Sequence, residues 1–272
     1  MRKMGKSRLR NRKAPFFRER RKGPFFEGWY FKHSSGGNVC ALIPGISVGS
    51  GGRREAFLQV ISSKGSHFFR YPSEAFSVDR RQGEIRLGES LFSVAGVRLY
   101  AADSSMELIG DLRYTDPVTL RHSLYAPGAM GPFSYFPFME CSHEVLSLCH
   151  RVSGFLCVNG EELRFENGTG YLEKDSGRSF PRAWVWYQSC DFEHPGDCVM
   201  LAAAEVPFLG TVFPGVICVC RVRGKEYRLA TYYGARLRRL EERDGCCRME
   251  VGQGAYLLEV LSLIHISEPT RP

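Results

Sequence analysis

Two short segments of this 272-residue chain concentrate aromatic rings beside carboxylates. The first is Phe25–Phe26–Glu27–Gly28–Trp29–Tyr30–Phe31–Lys32, and the second runs from Gly170 to Gln188. All three tryptophans, Trp29, Trp184 and Trp186, lie within them. A carboxyl group walled off by apolar side chains loses the hydration that favours its anion, so it stays protonated at higher pH than usual. Such an acid can protonate a poor base. Aromatic faces beside it stabilise a developing cation through their negative quadrupoles and exclude water that would trap it. The two segments are expected to build one buried site for an apolar ligand.

The elements that must hold these residues are strands. On a strand, Glu27, Trp29 and Phe31 share one face, and Phe26, Gly28, Tyr30 and Lys32 share the other. In the second segment Tyr171, Glu173 and Asp175 alternate onto one face, as do Trp184 and Trp186. Short alternating or apolar runs recur between residues 25 and 260, among them Val39–Ile43, Ala56–Ile61, Met106–Leu112, Gly154–Val158, Val199–Val206 and Val216–Val222. Asn159–Gly160 between two such runs predicts a hairpin, because both residues tolerate the positive φ of a type I′ turn. Arg223–Gly224–Lys225 is a weaker signal of the same kind. No amphipathic pattern long enough for a substantial helix is present, and Ser73–Phe76 is expected to form one turn. Many short strands with such punctuation predict an all-β barrel or sandwich. The stretch Tyr125–His143 sets prolines and glycines among nearly continuous apolar residues, and is expected to be a buried loop crossing a mouth or packing between domains.

Charge and cysteine usage narrow the function classes. Residues 1–22 hold eleven Lys/Arg against the single acid Glu19, whereas the remainder has 26 basic and 28 acidic residues. The tail is expected to be a disordered solvated arm, with peripheral contact to an anionic membrane open to it, where each Lys or Arg contributes about 1 kcal/mol. No basic groove continues from it, so nucleic acid is not expected as a partner. No apolar stretch of membrane-spanning length or signal-peptide type occurs, and a cytoplasmic protein is expected. The ten cysteines include no Cys-x-x-Cys pair, which leaves no metal-ligand or redox spacing. Phosphate-loop, HExxH and nucleophile-elbow patterns are lacking as well. Residues 261–272, LSLIHISEPTRP, resemble the translation of a sequencing-library adapter, so authentic sequence is expected to stop near Val260.

Three blocks, FFEGWYFK, SLYAPGAMGPFSYFPFMECSH and GYLEKDSGRSFPRAWVWYQ, occur in this order and together resemble the tocopherol cyclase family. The chain departs from that family's pattern at Ser176, where a tryptophan usually follows the aspartate. The resemblance implies a lipocalin-like β architecture, distantly akin to carotenoid hydratase-type double barrels. Residues 23–195 would then form an N-terminal barrel and 196–260 the start of a second, truncated β domain. It also implies closure of a prenylated quinol to a chromanol without a cofactor. That chemistry protonates a trisubstituted alkene and captures the tertiary cation with the phenol oxygen. Asp175 is the first candidate acid, followed by Glu140, Glu173 and Glu27. Arg178 would tune or orient it, Tyr135, His143 or Gln188 would hold the quinol hydroxyl, and Trp29, Tyr30, Trp184 and Trp186 would line the prenyl site. The alternative is a non-catalytic carrier that binds an isoprenoid or lipid in the same pocket.

Overall fold

The computed structural model describes residues 23–79, 81–136, 139–208 and 211–263. The basic tail 1–22 and residues 264–272 lie outside the described residues, as do the expectations placed on them. Eleven strands form one sheet: β1 (Phe25–Ser35), β2 (Asn38–Val48), β3 (Arg54–Ser62), β4 (Gly65–Pro72), β5 (Phe76–Asp79), β6 (Glu84–Leu87), β7 (Ser90–Ser93), β8 (Gly96–Ala102), β9 (Glu107–Val118), β10 (Cys141–Val158) and β11 (Glu161–Gly177). Its order is β4-β3-β2-β1-β11-β10-β9-β8-β7-β6-β5. The sheet curls into a nearly closed barrel, its two edge strands β4 and β5 joined through a short 3₁₀ turn at Ser73–Ala75. The all-β architecture expected from the alternating pattern is what the chain adopts.

Alternation is clearest in β1, where Phe25, Glu27, Trp29, Phe31 and His33 are buried and the residues between them only partly so. The inward set joins Leu42, Leu58, Phe92, Leu108, Leu156, Phe165 and Leu172 in a core contributed by strands all round the barrel. Asn159 and Gly160 close the β10–β11 hairpin with φ values of 49° and 85°, and Arg223–Gly224 does the same between the strands Thr211–Val222 and Lys225–Ala230 with 48° and 79°. Both are the left-handed pair that a type I′ turn demands.

A second sheet contains β12 (Trp184–Ser189), β13 (Cys198–Phe208), β14 (Thr211–Val222) and β15 (Lys225–Ala230) in that order. A third contains β16 (Arg236–Arg243), β17 (Cys246–Gln253) and β18 (Tyr256–Leu263). β18 pairs with β17 through Leu263, so ladder hydrogen bonding runs three residues past Val260. Val145, Leu148 and Tyr171 from the outer face of the barrel pack with Met200 and Val219 of the second sheet. A separate core joins the second sheet to the third through Leu201, Cys218, Met249 and Val251. The ten cysteines are free thiols, and four are buried in these cores. Among the described residues no helix is long and apolar enough to cross a membrane.

The apolar stretch Tyr125–His143 is buried only in part. Ala126, Ala129 and Gly131 are buried, while Tyr125, Tyr135 and Phe136 lie exposed. Small residues explain the docking: the Tyr232 ring lies so close over Gly131 that an added Cβ would stand 2.5 Å from Cζ. The Tyr232 hydroxyl donates to the Ala129 carbonyl at 2.8 Å, which fixes the loop to the segment after β15. Tyr125, Tyr135 and Phe136 therefore project outward from a backbone anchored through its alanines and glycine.

Candidate functional site

β11 is central to both layers, and Tyr171, Leu172, Glu173 and Lys174 are consecutively buried. One face of this strand fills the barrel and the other meets the second sheet, so the strand is covered on both sides. Alternation sends Tyr171, Glu173 and Asp175 toward the second sheet. The β10–β11 ladder sets His143 directly opposite Asp175 and Val145 opposite Glu173. Directly opposed residues have Cβ atoms about 5 Å apart, and diagonal neighbours remain within reach of long side chains. His143 therefore meets both carboxylates: Nδ1 lies 2.8 Å from Asp175 Oδ1, and Nε2 lies 3.7 Å from Glu173 Oε2. On the other flank, β1 places Tyr30 opposite Glu173 and Gly28 opposite Asp175.

Glu173 Oε2 accepts a short hydrogen bond from the Tyr171 hydroxyl (2.5 Å) and another from Trp186 Nε1 (3.2 Å) on β12. Tyr30 stands edge-on to Trp186 at 5.3 Å and to Tyr171 at 6.5 Å between centroids. Three rings thus surround a carboxyl group. Burial pushes the Glu173 carboxyl up to about 7, with the Asp175 charge adding to the rise and the facing His143 opposing it. Burial works against the charged form of His143, but Glu173 and Asp175 outweigh it and hold the imidazolium up to about 9. The His143 ring therefore donates from Nδ1 to Asp175, while its buried Nε2 has no hydrogen-bond partner. Ligand-capable atoms of His143, Glu173 and Asp175 all lie within 4.8 Å of one another. One nitrogen and two carboxylate oxygens at that spacing can pass a proton between them, or share a cation.

Alternation splits the first aromatic–acidic segment: Tyr30 joins the Glu173 site, but Glu27 and Trp29 do not, and the expectation that both segments build one site is corrected to that extent. Glu27 and Trp29 point into the barrel, on the opposite side of the sheet from Glu173. Glu27 Oε1 is 2.8 Å from Lys174 Nζ, with both side chains 2% exposed. The same ammonium lies 5.2 Å from the Trp29 ring centroid. The ladder explains this company, since Trp29 is opposite Lys174 and Glu27 opposite Ser176. Ser176 accordingly shares the barrel-side face, so the family's tryptophan at that position would not sit beside Asp175.

The remaining candidates are dispersed. Gln188 is buried, and its Oε1 accepts from Lys32 Nζ at 2.8 Å, linking β12 to β1. Glu140 is exposed and accepts from Ser179 Oγ at 3.2 Å. Arg178 is exposed, with its backbone N–H on the Glu140 carbonyl at 2.8 Å. Tyr135 donates to the Leu124 carbonyl at 2.6 Å from an exposed position. Trp184 is 51% exposed, two residues from the inward Trp186. The structure therefore gathers Glu173, Asp175, His143, Tyr30 and Trp186, and leaves Glu140, Tyr135, Arg178 and Trp184 apart from them. Sequence reasoning missed Lys174, although its alternation with Leu172 and Ser176 gave the signal. It also missed a buried trio in the barrel, where His33 Nε2 and the Tyr114 hydroxyl are hydrogen-bonded at 2.5 Å and the His150 ring lies 4.4 Å from that of Tyr114.

An all-β barrel with a carboxylate–imidazole cluster on its outer face, covered by a second sheet, defines the class of protein. Residues 119–236 match the family described as tocopherol cyclase-like. The chain is also similar to the probable tocopherol cyclase, chloroplastic, of Oryza sativa subsp. japonica and to the tocopherol cyclase, chloroplastic, of Zea mays. Each is 35% identical over 74 residues, which is 27% of this chain and 16% of the relative. The matched segment thus spans about one sixth of the length of these curated relatives. These matches support the tocopherol cyclase family, as the sequence blocks implied; the family match contains His143, Glu173, Asp175 and Trp186, and the FFEGWYFK block lies outside it. Among solved structures, CghA overlaps 88% of this chain and 74% of its own at a TM-score of 0.55 and 12% identity, a likeness of fold. Kievitone hydratase from Nectria haematococca overlaps 84% of this chain and 72% of its own at 0.47 and 12%.

Proposed function

We propose that the protein is a tocopherol cyclase-like enzyme that closes a prenylated quinol, or a related isoprenoid phenol, by acid catalysis with Glu173 as the proton donor. The observation that supports this most is the Glu173 carboxyl, raised to about 7 by burial and enclosed by Tyr30, Tyr171 and Trp186. The Glu173 O–H bond breaks as a C–H bond forms at the less substituted alkene carbon. The tertiary cation this leaves is stabilised by the surrounding rings. The phenol oxygen then bonds to the cationic carbon, and the phenolic proton returns to the Glu173 carboxylate. Atoms balance without an oxidant, a reductant or a cofactor, so the reaction is an isomerisation.

His143 and Asp175 serve the proton rather than the carbon skeleton. Asp175 fixes the imidazolium through Nδ1, and Nε2 stands 3.7 Å from the Glu173 oxygen. A small side-chain movement brings this group into hydrogen-bond range, where it can relay the phenolic proton back to Glu173. Gly28, opposite Asp175, leaves room for a small side chain: an added Cβ would lie in ordinary van der Waals contact with Ile43 Cγ2 at 3.7 Å.

The test is incubation of the full-length protein and its Glu173→Gln and Asp175→Asn variants with prenylated quinols, followed by chromatography for a chromanol. Product from the wild type that disappears in Glu173→Gln supports the enzyme. Saturable binding without product in every variant identifies a carrier and ends the catalytic reading.

A further inference from the structure

Three thiols outside the Glu173 cluster meet where the second sheet covers the barrel. Cys149 of β10 and Cys198 of β13 are buried in the shared core, and Cys190, the residue after β12, packs against it. Cys190 Sγ accepts from Gln188 Nε2 at 2.9 Å and donates to the carbonyl of Leu148, next to Cys149, at 3.2 Å. Its S–H is also shared with the Cys149 sulfur. That contact outweighs burial and holds the Cys149 thiol below its ordinary value, with Arg221 and Arg151 adding to the effect and Asp191 opposing it. Burial pushes the thiols of Cys40, Cys198 and Cys218 the other way. The thiolate is the reactive form of cysteine, so a depressed thiol beside a second thiol is an arrangement that oxidises to a disulfide. Cys190 also lines a small surface cleft with Lys32, Thr169, Gln188 and Asp191, which brings it within reach of small solutes. Among the described residues these thiols belong to no group of three ligand atoms spaced for a metal ion, so a pairwise reaction is the chemistry left to them.

The pair spans two parts of the fold. β12 is an edge strand of the second sheet, and its segment is held to the barrel by Trp186 on Glu173, by Lys32 on Gln188 and by Cys190 on Leu148. We propose that Cys149 and Cys190 are a modification site, which a peroxide oxidises to a disulfide that ties β12, and with it the cover of the Glu173 cluster, to the barrel. Hydrogen peroxide is sufficient. The Cys149 thiolate attacks one oxygen, an S–O bond forms as the O–O bond breaks, and the departing hydroxide takes up the proton released by that thiol. The Cys190 sulfur then displaces the hydroxyl from Cys149: the S–S bond forms, the S–O bond breaks, and the Cys190 proton leaves with hydroxide as water. Two thiols are oxidised and one peroxide is reduced to two waters. An added dithiol reverses the change by exchange.

The test treats the full chain with hydrogen peroxide, blocks the remaining thiols with iodoacetamide and maps the unreduced digest by mass spectrometry. A peptide linking Cys149 to Cys190 is expected, absent before treatment and lost on adding dithiothreitol. The oxidised protein should melt at least about 4 °C higher, because the new bond closes a loop of about 40 residues. Cys149→Ser and Cys190→Ser each abolish the linked peptide and the rise in Tm, while Cys246→Ser keeps both. Should a serine variant not fold, the wild-type map decides alone. Full alkylation of Cys149 and Cys190 after peroxide treatment overturns the proposal. A link from either of them to another cysteine, or their conversion to sulfinic acid without a link, does so too. A linked pair with unchanged Tm overturns the tie between β12 and the barrel. None of these readouts requires turnover, so the dithiol and the proposed chemistry at Glu173 stand or fall separately.

Discussion

Glu173 and Lys174 follow one another in the chain and serve opposite sides of one sheet: the carboxyl lies under Tyr171 and Trp186 toward the second sheet, and the ammonium pairs with Glu27 inside the barrel. A strand covered on both faces allows two buried ionisable groups to sit side by side without neutralising each other. Their chemistry diverges accordingly. Lys174 has an ion-pair partner at 2.8 Å, whereas Glu173 has neutral donors and an imidazolium at 3.7 Å.

The pH dependence of activity follows from the Glu173 carboxyl. In the proposed reaction turnover requires its protonated form, so kcat is expected to decline as pH rises through about 7. Trp186→Phe keeps the ring and deletes a donor that stabilises the carboxylate, and Tyr171→Phe does likewise. Each is expected to move the basic limb upward, by roughly one pH unit, since a hydrogen bond to a charged group contributes about 1.5–3 kcal/mol and one unit is about 1.4 kcal/mol. Initial rates across pH check the sign. A downward shift would mean that the donors act on the neutral acid.

Stability carries the same signature. Both Glu173 and His143 have folded values above their ordinary ones of 4.5 and 6.5, so the native state holds extra protons between 4.5 and about 7 and between 6.5 and about 9. The unfolded chain binds fewer protons across these windows, and stability falls as pH rises through them. Thermal denaturation should give Tm decreasing from mildly acidic to alkaline pH. In Glu173→Gln the part of that slope below neutrality is lost.

The buried pair Glu27–Lys174 is structural. Glu27→Gln or Lys174→Met removes one member of this buried pair and is expected to cost about 3–5 kcal/mol in urea denaturation. The double variant Glu27→Leu, Lys174→Met removes both charges and should recover most of that loss. If each single substitution costs under about 1 kcal/mol, water reaches the pair and the barrel interior is wetter than its packing implies.

Gly28 stands opposite Asp175 across the β1–β11 ladder, and substitutions there test whether substrate approaches the carboxylate from this side. Its backbone is not in the left-handed region and a Cβ fits, so Gly28→Ala should fold and turn over normally. Gly28→Leu fills the surface opposite Asp175 and is expected to lower kcat/KM at least about tenfold by blocking the approach, with Tm shifted by only a few degrees. Equal activity in the two variants would place the entrance elsewhere.

Strand content, the two type I′ hairpins and the inward set Glu27–Trp29–Phe31 were legible because period-two alternation and turn chemistry are local properties. The partners of each face were not. Alternation assigns Tyr171, Glu173 and Asp175 a common side, but it does not say that Glu27 and Trp29 look the other way across the same sheet. That depends on the β1–β11 register, which brings residues more than a hundred positions apart into line. His143 meets Asp175 for a similar reason, through a β10–β11 ladder interrupted by shifts after Val145 and Ser147. The aromatic loop misled because apolar composition suggested burial, whereas its alanines and Gly131 make the contact and Tyr125, Tyr135 and Phe136 face out.

Deuterium incorporation tests the central claim most directly. In deuterated water the exchangeable Glu173 proton becomes a deuteron, and each turnover must place it on the former alkene carbon. Mass spectrometry and NMR of the product from the full-length protein should show one carbon-bound deuteron per chromanol formed, and no enzymatic product from Glu173→Gln. Product lacking that deuteron, or formed equally well by Glu173→Gln, would contradict Glu173 as the acid that starts the ring closure.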